Sequence, residues 1–177
     1  DPEIFRPRPS PASLPKERIL YFPYMNDGAY MISAAARSCG IPSEVLPKQT
    51  DEDLAIGRKY TSSKECFPMI CTTGSFIKKL MEPGANPSKM SFFMPDHNGP
   101  CRFGQYNQLH RILFDRLGFH EAELITPSND TSYEDLAGEH SRKFRINAWK
   151  GFIVADYLRK IHRETRPYEI NKGDSDK

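Results

Sequence analysis

Apolar and polar positions alternate along this chain on two length scales. Short apolar runs at 18–23 (RILYFP), 44–47, 90–95 (MSFFMP) and 122–125 have the length of buried strands. Longer segments with helical composition or spacing lie between them. Residues 29–39 are rich in alanine and stop at Gly40, a residue suited to ending a helix. Residues 51–60 read as a polar-faced helix, and Pro68 fits the first turn of a helix running to residue 81. A helix over 101–117 carries Tyr106, Leu109, Ile112, Leu113 and Leu117 on one stripe and ends at Gly118. The longest helix, over 141–165, has Ile146, Trp149, Phe152, Ile153, Tyr157 and Ile161 at helical spacing. Residues 127–140 between them are polar and irregular.

The first strand, helix and second strand make a βαβ unit, which implies parallel strands and a right-handed crossover. Continued alternation predicts an α/β fold: a Rossmann-like open, mainly parallel sheet with helices on both faces and a long C-terminal helix. In such sheets the ligand site lies beyond the carboxyl ends of the strands. The loops 26–28, 61–66, 96–101 and 127–130 are expected to converge there. Residues 1–17 contain five prolines and read as an extended arm or linker, leaving 18–177 as the domain.

Composition narrows the function classes. A chain of 177 residues can bury a core without disulfides. The net charge of +2, with no dense Lys/Arg block, gives no electrostatic support for binding nucleic acid or a membrane surface. No apolar run approaches the length of a membrane span, and no signal-peptide pattern is present. The first residue is not Met, so the chain is expected to be processed or cut from a longer one. Four cysteines without an export signal point to a reducing, cytoplasmic compartment, where thiols serve packing, catalysis or metals.

Two of the four cysteines sit where chemistry is expected. Cys101, in Asp-His-Asn-Gly-Pro-Cys-Arg, falls between a strand and a helix, and Cys66, in Ser-Ser-Lys-Glu-Cys-Phe-Pro, falls at another helix start. A helix N-terminus offers free N–H groups and positive dipole, which favour the thiolate, the form that binds metal or attacks carbon. Lys64 and Arg102 add cations beside them. The competing reading is that both thiols merely pack under their loops. Cys71 is five residues from Cys66, about 140° round a helix, so the two do not share a face, and it reads as a core residue. Cys39 ends the first helix at the opposite edge of the sheet and reads as structural. A zinc site would need two further ligands, with only His97 conveniently placed, and no Cys-x-x-Cys redox pair exists. Dinucleotide-binding, Walker A and nucleophile-elbow motifs are absent, and Glu52, Asp53, Glu65 and Asp96 form no clear acid/base pair.

Two long segments carry a resemblance. The stretches 57–68 (GRKYTSSKECFP) and 98–106 (NGPCRFGQY) resemble signatures of proteins related to 2-hydroxyacyl-CoA dehydratase and its ATP-dependent activase, above all the large activase-related members. The similarity extends through Thr126-Pro127-Ser128, Trp149-Lys150-Gly151 and Arg166-Pro167-Tyr168-Glu169, covering about residues 18–173. Ser62-Ser63 before Lys64, where the pattern has Gly, is a minor departure.

The resemblance implies an iron–sulfur cluster, [4Fe–4S] or double-cubane, held by cysteines between Rossmann-like halves. Cys66 and Cys101 match cluster positions, and no third ligand is matched. Lys64 and Arg102 would offset the cluster's charge, and Asn98, Gln105 or Tyr106 would hydrogen-bond its sulfurs or a substrate carbonyl. The implied partners are an ATP-dependent activase, with ATP bound only on that separate module, a second dehydratase-like half or subunit, and an acyl-CoA. In the related enzymes one low-potential electron turns the acyl-CoA into a ketyl radical, which permits loss of an otherwise unreactive hydroxyl. The chain would then be one cluster-holding half of a larger assembly. Two rivals stand beside this reading. One is a cluster-free domain that binds a CoA-type ligand or a subunit. The other is a thiol-nucleophile enzyme, supported only by His97 as base.

Overall fold

All four apolar runs become strands, and their alternating side chains build two cores. The computed structural model describes residues 17–62, 64–128 and 130–176, so the expected proline-rich arm lies, Glu17 apart, outside the described residues. Strands β1 (Ile19–Phe22), β2 (Ser43–Val45), β3 (Met90–Phe93) and β4 (Glu123–Ile125) pair in the order β2-β1-β3-β4, every pair parallel. Successive side chains on a strand face opposite sides. Tyr21 and Phe92 therefore enter one core, with Met69 and Phe76 of α3 (Phe67–Leu80) and Phe114 of α4 (Tyr106–Arg116). Leu20, Phe22 and Phe93 enter the other, with Ala35 and Ala36 of α1 (Gly28–Ser38) and Phe144 and Ala148 of α6 (Ser141–Thr165). The result is the expected open, parallel α/β sheet of Rossmann-like form, with helices on both faces and a long C-terminal helix.

Helix α2 (Asp51–Tyr60) lies along α3. Its start is set by Thr50, whose backbone N–H and hydroxyl donate to the Asp53 carboxylate at 2.9 and 2.5 Å. Gly57 and Gly74 bring the two helices together backbone to backbone. A methyl group at Gly57 would strike the Ile70 carbonyl oxygen, and one at Gly74 would strike that of Asp53.

The structure differs from the sequence-based expectation in two places. The helix expected over 101–117 opens as a 3-10 turn, Arg102–Gln105, and α4 proper begins at Tyr106. Gly104 lies directly against the His97 carbonyl, and this contact with the preceding loop holds the segment in the tighter turn. Residues 127–140, expected to be irregular, contain α5 (Glu134–Ala137) and a 3-10 turn, Gly138–His140. The chain enters α5 through Ser132 and Tyr133, both at positive φ (55° and 65°).

Helix α6 has 25 residues, about 37 Å, against 11 residues and about 16 Å for α1. The two run antiparallel. Lys143 donates to the Ser38 carbonyl at the end of α1 (2.6 Å), and Arg159 reaches Asp27 at its start (3.4 Å). The face of α6 turned to the body combines Phe144 and Phe152 with the small residues Ala148, Gly151 and Ala155; Met31 lies against Gly151 and the Phe152 ring against Gly28. Its other large apolar residues, Ile146, Trp149, Ile153, Tyr157 and Ile161 flanked by Val154 and Leu158, are exposed. Trp149 is 68 % exposed and Tyr157 63 %. Among the described residues no helix is long and apolar enough to cross a membrane.

Candidate functional site

Parallel connectivity delivers the candidate residues to one edge. β1 connects toward β2 and β3 toward β4, so the chain departs in opposite directions from the two central strands. That strand order marks a switch point at the carboxyl ends of the strands, where open α/β sheets place ligands. The loop after β3 carries Cys101. Helix α3, which leads back toward the start of β3, begins at the same edge, and Cys66 is its N-cap.

Both cysteines hold extended backbone, φ −64° and ψ 146° at Cys66, φ −75° and ψ 130° at Cys101. Each precedes a helical turn that starts immediately after it. Cys66 is half-buried against the α3/α4 core, whereas Cys101 is exposed. Tyr106, buried at the first position of α4, joins them. Burial, then a hydrogen bond from the phenol to Cys66 and the charges of Cys66 and Cys101 as thiolates, push the Tyr106 phenol up to about 12, partly opposed by the Met69 N–H. One phenol thus senses both thiols, and it stays protonated at neutral pH, able to donate to sulfur. The Phe103 ring stands edge-on to Tyr106 with centroids 5.2 Å apart.

The two thiol-bearing loops are tied together. The Arg102 guanidinium donates to the Lys64 carbonyl across the gap (3.3 Å). The Glu65 carboxylate organises the loop below it, accepting the Ser62 N–H (2.9 Å), the Ser62 hydroxyl (3.0 Å) and the Lys64 N–H (3.1 Å). Partial burial would raise the pKa of Glu65, but these hydrogen bonds together hold it below the ordinary carboxylate value.

The other sequence-named residues are used differently. The Lys64 side chain is exposed and has no partner among the described residues. Asn98 donates to Asp130 (2.8 Å), binding the β3 loop to the β4 loop. Gln105 is exposed and makes no hydrogen bond among the described residues. The His97 N–H donates to Asp96 (2.7 Å). Cys71 is half-buried within α3; burial, then the Asp53 charge, push its thiol up, with Arg58 partly offsetting, as suits a packed residue. Cys39 caps α1 at the far edge, its sulfur 3.9 Å from the His140 carbonyl.

The donor set fits part of a cluster's coordination. Cys66 lies against Tyr106 and Cys101 lies on the adjoining loop, but among the described residues no three Cys, His, Asp or Glu side chains come together to hold a metal ion. The chain thus carries two thiols at this edge that could serve as sulfur ligands. Sequence reasoning named Tyr106 among several hydrogen-bond candidates but did not single it out as the partner of Cys66. The available signal was its place five residues after a helix-start Cys.

No family model, no curated protein and no solved structure matches this chain.

Proposed function

We propose that this domain supplies two cysteine ligands, Cys66 and Cys101, to an iron–sulfur cluster in a system related to 2-hydroxyacyl-CoA dehydratase and its activase. Two thiols at separate helix starts, on loops tied by Arg102 and with Cys66 against the buried Tyr106 phenol, carry the reading. Cys66 and Cys101 would hold the cluster, which would supply acceptance of single low-potential electrons from the ATP-dependent activase. This chain's own residues position and tune. Tyr106 donates its O–H toward the Cys66 sulfur, which removes charge from that ligand, and Arg102 holds the two loops in register. A second dehydratase-like half or subunit brings the remaining ligands.

Anaerobic reconstitution with iron and sulfide, read by iron content and EPR, tests this. Wild-type protein is expected to retain iron and show a cluster signal after reduction, and Cys101→Ser is expected to lose most of both. A signal indifferent to the substitution, or none in the complete assembly, overturns it.

A cluster-free ligand-binding role has its own supporting observation. A cavity of about 810 Å³ opens between the end of β3 and α6, lined by Phe93, Pro95, Phe144 and Trp149 with Arg142 and Arg145 among its cations. Neither arginine has an ion-pair partner among the described residues. An apolar body with an anionic head, such as a CoA thioester, suits that lining. Colourless, iron-free complete protein that binds CoA thioesters would favour this reading.

A further inference from the structure

We propose that the cavity between the end of β3 and α6 binds a small aromatic acid, a planar ring system bearing one carboxylate. This rests on the ligand-binding reading of that cavity and names its ligand class, and it holds whether or not a cluster is bound. Cys66 packs with the Tyr21 and Phe92 core, whereas Phe93, Phe144 and Ala148 of the cavity wall belong to the Leu20 and Phe22 core. Cys66 and the cavity therefore lie on opposite faces of the sheet.

The lining selects the ligand. A volume of about 810 Å³ is that of a small-molecule site. Five of the lining side chains are aromatic: Phe93, Tyr133, Phe144, Trp149 and Phe152. Rings meet rings in offset and edge-on contacts, so these walls favour a planar body over a flexible chain. No acid lines the cavity, whereas Arg142, Arg145 and Lys150 do, and none of the three has an ion-pair partner among the described residues. Arg142 and Arg145 are three residues apart, on one face of the first two turns of α6 and near its positive end. A guanidinium fork matches a carboxylate and also lies flat on a ring. The lining has no glycine of the kind that lets bare backbone cradle a polyphosphate, which favours one compact anionic head.

Tyr133 is a separate sign of a ligand. Its backbone is left-handed, φ 65° and ψ 21°, as is that of Ser132 before it at φ 55°. That conformation is unfavourable for so bulky a side chain and persists where the surroundings enforce it, often at ligand sites. Here it sets the Tyr133 ring beside Phe144, centroids 5.9 Å apart, as one wall of the cavity.

Fluorescence titration of the full chain tests the proposal. Trp149 is the single tryptophan and lines the cavity, so it serves as donor to a dye bound there. The dye is anilinonaphthalene sulfonate, an aromatic body with one anionic head, and naphthoate competes with it. Energy transfer that saturates at one dye per chain and is reversed by naphthoate below about 1 mM is expected. Arg142→Gln combined with Arg145→Gln is expected to weaken naphthoate about 10-fold with unchanged circular dichroism, and to leave the uncharged analogue N-phenylnaphthylamine unaffected. Tyr133→Ala is expected to weaken both. Leu158→Asp, on the exposed part of α6 outside the cavity, is expected to change neither. Indifference of naphthoate to the arginine pair, or sensitivity to Leu158→Asp, overturns the proposal. Displacement of the dye by an aliphatic acyl-CoA but not by naphthoate overturns the ligand class while the cavity remains a site, and absence of any saturable transfer overturns both. Iron content and EPR of the same samples report on the cluster separately.

Discussion

His110 is fully buried in α4, its Nε2 3.1 Å from the Thr73 hydroxyl and its Nδ1 without a partner among the described residues. Burial lowers its pKa from 6.5 to about 3. The folded state therefore keeps this ring neutral while the unfolded chain binds a proton below pH 6.5. Stability is fully present above 6.5 and is lost as pH falls toward 3, by up to about 1.4 kcal/mol per pH unit. Urea unfolding at pH 7, 6 and 5 is expected to show this loss in the wild type and a flatter profile in His110→Gln. At this scale the sequence was informative about position and mute about contact. Cys66 and Cys101 could be placed because each lies between a loop and a helix start, and Cys39 could be set aside because a helix leads it away. The hydrogen bond of Tyr106 to Cys66 depends on where α4 begins, which the 3-10 turn shifts.

Helices α2 and α3 approach through Gly57 and Gly74 with no side chain between them. Nothing there can yield except the helix axes themselves. Gly74→Ala is expected to cost about 1–3 kcal/mol in denaturant unfolding, as overpacking does, although alanine is the better helix former. Because Cys66 sits at the α3 end of the α2–α3 connection, the same substitution is expected to disturb the thiol pair. Most elements were legible because prolines and glycines punctuate them: Gly40 and Gly118 follow α1 and α4, and Pro68 opens α3. The entry to α5 was not legible, since Ser132 and Tyr133 adopt positive φ without a glycine to announce it. The start of α4 was misplaced because the contact of Gly104 with His97 is tertiary.

At the scale of the whole molecule, the apolar period of α6 announced a helix but not which side of it faces the body. That choice is made by α1 and the sheet, where Gly28, Ala35 and Ala36 leave room for Phe144 and Phe152, and Met31 takes the space over Gly151. Trp149 is the single tryptophan and lies in the outward stripe, 68 % exposed. The order of the strands also has a meaning in time. β1 is made first yet lies inside the sheet, and its Ile19 must wait for Met90 before both edges of the strand are paired. Contacts so distant along the chain form slowly. During synthesis Cys66 emerges before β3, and Cys101 after it. The loops that carry the two sulfurs come to one edge only once β3 has joined β1, so any chemistry that needs both thiols must wait for that pairing.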